Sequence, residues 1–167
     1  MISKTLLLCA AFINAHKTPS GCHPDHPSLS VAKDRILKAS EWASFSKKNP
    51  LFVIGVSDSQ CSDCCESEGL LLELDALSKN GTLTWTSETK SKKKKKNKTK
   101  VHKIPIVRID TNDKEETAAF RDIGFMFKQV PKVFIVKNGM SRSTDHYAHF
   151  DVATTLHQIQ AMVEPVI

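Results

Sequence analysis

Beyond its first fifteen residues, this 167-residue chain has no apolar stretch long enough to cross a bilayer, which takes about 20 residues, so no membrane span is expected in the mature chain. Aromatic residues make up only 7% of the chain, and none falls among the nine lysines between Lys90 and Lys103. Without such rings there is no base-stacking platform, and no specific nucleic-acid partner is expected. Residues 1–15 contain no arginine, which argues against a mitochondrial presequence.

What those fifteen residues do contain is one charge, Lys4, an apolar run from Thr5 to Ile13, and a small-residue ending at Asn14-Ala15. This is the pattern of a secretory signal peptide, with a buried strand or an uncleaved anchor as the alternative. Loss of that segment takes Cys9 with it and leaves Cys22, Cys61, Cys64 and Cys65, an even number for a compartment where disulfides persist. The sequons Asn80-Gly81-Thr82 and Asn97-Lys98-Thr99 fit the same route as glycosylation sites. The expected location is the secretory pathway, either the endoplasmic reticulum lumen or outside the cell. The last residues, Glu164 to Ile167, are not a KDEL-type retrieval signal.

The net charge of +6 is unevenly placed. Set aside Lys4 and the nine lysines of 90–103, and the remainder carries about −4. Such a run repels itself, so residues 82–103 are expected to be a disordered, solvated Lys-rich insertion, with acidic partners, glycans or anionic surfaces as its functional reading. Residues 16–29 are expected to be a flexible N-terminal segment, and 30–167 one domain.

Within that domain, Cys61-Ser62-Asp63-Cys64-Cys65 follows the apolar run Leu51–Val56 and precedes a segment that reads as a helix, Glu66 to Lys79. Two thiols at i and i+3 can close a small disulfide. At a helix start, the unpaired N–H groups and the positive dipole end favour a thiolate at the first of them, Cys61. Metal sites and inert structural disulfides use the same spacing.

The remaining elements alternate. Ser30 can cap a helix from Val31 to about Lys48, stopped by Asn49-Pro50. Leu51–Val56 and Ile104–Asp110 read as buried strands, and Asp113 with Glu116 forms a capping-box pattern for a short helix through Phe120. Val133–Val136 is a third strand, Asn138-Gly139 a hairpin turn leading to a strand within Ser141–Tyr147, and Asp151–Val163 a closing helix. The order implies an α/β fold with helices on both faces of one sheet.

These residues resemble the thioredoxin superfamily, and within it the single domains of the protein disulfide isomerase type. The resemblance covers Leu51 to Val163. It rests on the CxxC between a buried strand and a helix, a strand ending in Ile109-Asp110, and Val130-Pro131 before an apolar strand and Lys137-Asn138-Gly139. It implies a thioredoxin-like fold with a central mixed sheet, a cis bond at Val130-Pro131 beside the sulfurs, and a backbone there that pairs with an extended client. The Lys-rich segment would be an insertion. The chain departs from the family at Gln60, where a tryptophan is usual, at Ser62-Asp63 between the cysteines, and at Gly55, where the family commonly buries an acid. Asp63 opposes thiolate formation, so weak redox activity is expected.

The implied chemistry is thiol–disulfide exchange on disulfide- or thiol-containing protein clients, with no cofactor. Cys61 attacks, a mixed disulfide forms and Cys64 resolves it. Cys65 is either a small apolar residue or a structural partner for Cys22. One alternative is a non-catalytic binding module that uses the Pro131 surface and the lysines. A second is a zinc or copper site in which Cys61, Cys64 and Cys65 join Cys22, His23 or His26.

Overall fold

The apolar run after Pro50 becomes the middle of a sheet. In a computed structural model describing residues 36–58, 61, 64–90, 97–128, 130–143 and 151–163, Leu51–Ser57 forms β1, hydrogen-bonded on both edges. On one side it runs parallel to β4 (Ile106–Asp110), and on the other antiparallel to β5 (Lys132–Lys137). The sheet is completed by β6 (Met140–Ser143), giving the order β4-β1-β5-β6. A strand with neighbours on both edges and helices on both faces meets no water, which is why Leu51 to Val56 can be continuously apolar.

Alternation along β1 sorts its side chains between two cores. Leu51 and Val53 point toward α2 (Cys64–Lys79) and α4 (Val152–Val163), packing with Leu70, Leu71, Leu74 and Ile159. Phe52, Ile54 and Val56 point the other way, toward α1 (Trp42–Lys48) and α3 (Lys114–Asp122). That second core is aromatic: Trp42 meets Phe125 at 4.9 Å between ring centroids, and Phe45 meets Phe52 edge-on at 5.0 Å. The molecule is thus a mixed α/β structure with a central mixed sheet flanked by helices.

Three expectations change. The helix anticipated from Val31 is shorter: a 3-10 turn at Ala39–Glu41 leads into α1, while Ile36 bridges Arg108 and the Leu37 N–H bonds the Arg108 carbonyl at 2.8 Å. Pairing along the open edge of β4 wins over helix propensity there, and Ser30 lies outside the described residues. The segment 82–103 is structured at both ends, as β2 (Thr84–Lys90) and β3 (Asn97–Lys103) pair antiparallel from Thr84↔Lys103 to Lys90↔Asn97. Threonines and Val101 between the lysines supply strand propensity. Trp85, stacked on His102 at 4.6 Å, ties the base of this ribbon to the core.

The third change is at α3. Asp113 caps it, accepting from the N–H groups of Glu115 and Glu116 at 3.1 and 3.0 Å. Glu116, however, does not close a capping box, because its carboxylate accepts the Ala39 N–H at 2.8 Å and so ties α3 to the 3-10 turn. Asn138 and Gly139 turn β5 into β6 with φ of 52° and 81°, the left-handed pair that a tight hairpin needs.

Candidate functional site

The C-terminal end of β1 is where three chain segments converge. Ser57, the last residue of β1, pairs with Asp110 at the end of β4, and the Thr111 N–H donates to the Ser57 carbonyl at 3.0 Å. On the other side Val56 pairs with Lys132, the first residue of β5, so Val130 and Pro131 reach the same end of the sheet. The Val130–Pro131 bond is cis, and both residues are half-buried.

From that end the chain turns tightly into α2. The Cys61 N–H donates to the Asp58 carbonyl at 3.1 Å, and the Cys64 N–H to the Cys61 carbonyl at 3.2 Å. These bonds set the two Cα atoms 5.3 Å apart with their sulfurs at disulfide-bonding distance. Cys64 is the first residue of α2 and fully buried, whereas Cys61 precedes the helix and is only half-buried. Position and access therefore coincide at Cys61, where approach is possible and the helix dipole favours negative charge.

Gly55 explains one departure from the resembled family. A Cβ built there would overlap Leu71 Cδ1 and lie 3.2 and 3.3 Å from Leu71 Cγ and Cδ2. The space facing Gly55 is filled by the Leu71 side chain, so any side chain at this position, an acid included, would have to displace it.

A buried acid is nonetheless present, and sequence reasoning missed it. Glu68, one turn after Cys64 on α2, is 2% exposed. Its Oε2 accepts from Arg108 Nε at 2.6 Å and its Oε1 from Ser57 Oγ at 3.1 Å. Arg108, itself 5% exposed, has an Nη2 with no hydrogen bond among the described residues. The available signal was Arg108 itself, a charge in the middle of Ile106-Val107-Arg108-Ile109, where a buried strand requires a partner for it.

Of the other sequence candidates, Asn80 is exposed on the turn after α2, with its Oδ1 accepting the Thr82 N–H at 2.9 Å. Asn97 starts β3, and its side chain lies outside the described residues. The signal segment, Cys22, His23, His26 and residues 91–96 also lie outside them, as does the side chain of Cys65. Among the described residues no group of three His, Cys, Asp or Glu could hold a metal ion, and no helix is long and apolar enough to cross a membrane. No family model matches the chain, and no curated protein matches it.

Proposed function

We propose that the protein is a thioredoxin-like thiol–disulfide oxidoreductase or isomerase of the secretory pathway, weak in activity, with Cys61 as nucleophile and Cys64 as resolving thiol. The observation that carries this reading is the asymmetry of the pair: Cys61 half-buried ahead of α2, Cys64 fully buried within it, 5.3 Å apart at Cα. The Cys61 thiolate attacks one sulfur of a client disulfide and expels the other as a thiolate, giving a mixed disulfide. The Cys64 thiolate then attacks Cys61 Sγ, releasing the reduced client and closing Cys61–Cys64, so two electrons pass from protein to client. The reverse sequence donates a disulfide.

The client would lie along the Val130–Pro131 backbone, added as a strand at the end of the sheet where proline leaves no N–H to pair internally. The β2–β3 ribbon, with exposed Lys100 and Lys103, would attract acidic partners or anionic surfaces to the same molecule.

The test is turnover of a protein disulfide such as insulin by the reduced protein, together with mild alkylation. Measurable reduction that Cys61→Ala abolishes is the expected result, with Cys61 labelled before Cys64. Absence of turnover, or first labelling of Cys64, overturns the assignment and leaves the binding module.

A further inference from the structure

The two ends of the sheet differ in charge, and the helices explain why. α1 ends at Lys48 just before β1 begins. α2 ends at Lys79 beside the start of β4, where the Ser78 hydroxyl donates to the Ile104 carbonyl at 2.7 Å and Lys103 Nζ to the Lys79 carbonyl at 2.8 Å. Two helix C-termini thus meet at this end, and the lysines offset their negative dipole ends. The other end, where β1 and β4 finish and Cys61 lies, has Asp58, Asp110, Asp113 and the acidic first turn of α3, set against Lys38, Lys114 and Lys132.

Dipole compensation does not account for what lies between the lysines. Lys48, Lys79 and Lys103 rim an open groove of about 680 Å³, with Leu37, Phe45 and Ile106 among the residues that line it. Ile36, in the same groove, is 42% exposed, and Val101, which shares a face of the ribbon with Lys103, is 63% exposed. A lysine needs no apolar neighbour to counter a helix dipole. Apolar side chains set between lysines are what a protein lying on a bilayer presents, with ammonium groups at the phosphates and apolar groups at the acyl boundary beneath.

We propose that this end of the molecule is a docking face for an anionic phospholipid bilayer, built from the end of α1, the end of α2 and the base of the β2–β3 ribbon, an inference that rests on and extends the ribbon's attraction to anionic surfaces. The body of the protein joins the ribbon in that surface, and the orientation of the whole is thereby set. A sulfated polysaccharide would use the lysines but leave Ile36, Val101 and the groove without a role. Of the acids nearest the groove, Asp75 is paired with Lys79 at 2.7 Å, and Glu41 accepts the Lys38 N–H at 3.1 Å. Lys103 spends one of its three donors on the Lys79 carbonyl, which leaves two for a phosphate. β1 is seven residues long. At about 3.3 Å per residue that is roughly 20 Å, twice the Debye length at ordinary ionic strength, so the acidic end carrying Cys61 is screened from the lipid charge and faces water.

The measurement is co-sedimentation of the full-length protein with vesicles of phosphatidylcholine and phosphatidylserine, about 3:1, against phosphatidylcholine alone. Binding is expected only with the anionic vesicles. Lys48→Gln should weaken it about fivefold, the worth of one lysine near an anionic bilayer, and Lys48→Glu more. Lys114→Glu, the same change of net charge at the opposite end, should shift it less than about twofold. Val101→Ser, which alters no charge, should weaken it by about two- to fivefold. All three side chains are exposed, so the variants keep the fold, which circular dichroism checks. Mild alkylation of Cys61 in the reduced protein should proceed at the same rate on and off the vesicles. Equal effects of Lys48→Glu and Lys114→Glu, an unchanged affinity in Val101→Ser, or protection of Cys61 on vesicles would each overturn the docking face. Binding to soluble polyglutamate without binding to vesicles would hand the lysines to an acidic protein and overturn it too. Wild-type vesicle binding that Lys48→Glu leaves intact sinks the docking face alone, whereas wild-type protein that ignores every anionic probe sinks the ribbon's attraction with it.

Discussion

Gly55 offers the sharpest energetic test of how α2 sits on the sheet. Gly55→Ala adds one methyl where Leu71 Cδ1 already stands, with Cγ and Cδ2 at 3.2 and 3.3 Å from it. Leu71 is fully buried among Leu70, Leu74, Val53 and Ile135, so it cannot swing aside without displacing them. Overpacking of this kind costs about 1–3 kcal/mol. Leu71→Ala alone removes the obstacle but leaves a cavity, at about 2–5 kcal/mol. The two changes compensate, since the new methyl of residue 55 enters the space that Leu71 vacates. The double variant should therefore be more stable than the sum of the singles implies by about 1–2 kcal/mol. Urea unfolding of the four proteins, followed by far-UV circular dichroism with a common m-value, gives the coupling directly. Strict additivity, or a Gly55→Ala cost under about 0.5 kcal/mol, would refute the close approach.

Two further outcomes follow from the caps and the ribbon. Asp151 caps α4: the Thr154 hydroxyl bonds it at 2.6 Å and the Thr154 and Ala153 N–H groups at 2.8 and 3.3 Å, and these bonds, the hydroxyl first, hold its carboxyl below the usual carboxylate range against a small effect of burial. A depressed folded-state pKa stabilises above the unfolded value, about 3.9, and loses that contribution as pH falls through the folded one. Asp151→Ala should thus cost about 1 kcal/mol at pH 7, with the gap closing in thermal melts below about pH 4, and a gap that persists at pH 2 would contradict the cap. Excising residues 86–101 and rejoining Trp85 to His102 through a short turn should leave cooperative unfolding intact, because β2 and β3 pair with each other and not with the main sheet. The same variant should lose salt-sensitive binding to anionic vesicles, and retention of that binding would place the attraction elsewhere.

Much of the scaffold was legible in the chain because its signals are local. A run such as Leu51–Val56, the Asn138-Gly139 turn and the Asp113 cap each carry their instruction within a few residues. The spacing of Cys61 and Cys64 at a helix start was readable for the same reason. What was not legible depends on partners far along the chain. Ile36 and Leu37 satisfy helical periodicity, yet Ile36 bridges Arg108 and the Leu37 N–H bonds the Arg108 carbonyl. Glu68 looks like part of a polar helix face until a strand 40 residues away supplies the cation that lets it be buried. The ribbon was hidden by charge: lysine repulsion argued for disorder, while the threonines among the lysines favoured a ladder.

The two-sided pairing of β1 has a kinetic consequence. Its amides are covered by β4, by β5 and by helices on both faces, so no fraying of an edge or of the ribbon uncovers them. Hydrogen exchange at Val53 to Val56 can proceed only through whole-molecule opening, whereas β6, an exposed edge strand, can exchange by local fluctuation. Cys61 therefore hangs from the slowest-opening part of the molecule. Whatever happens at its sulfur takes place against a support that stays put on the timescale of the chemistry.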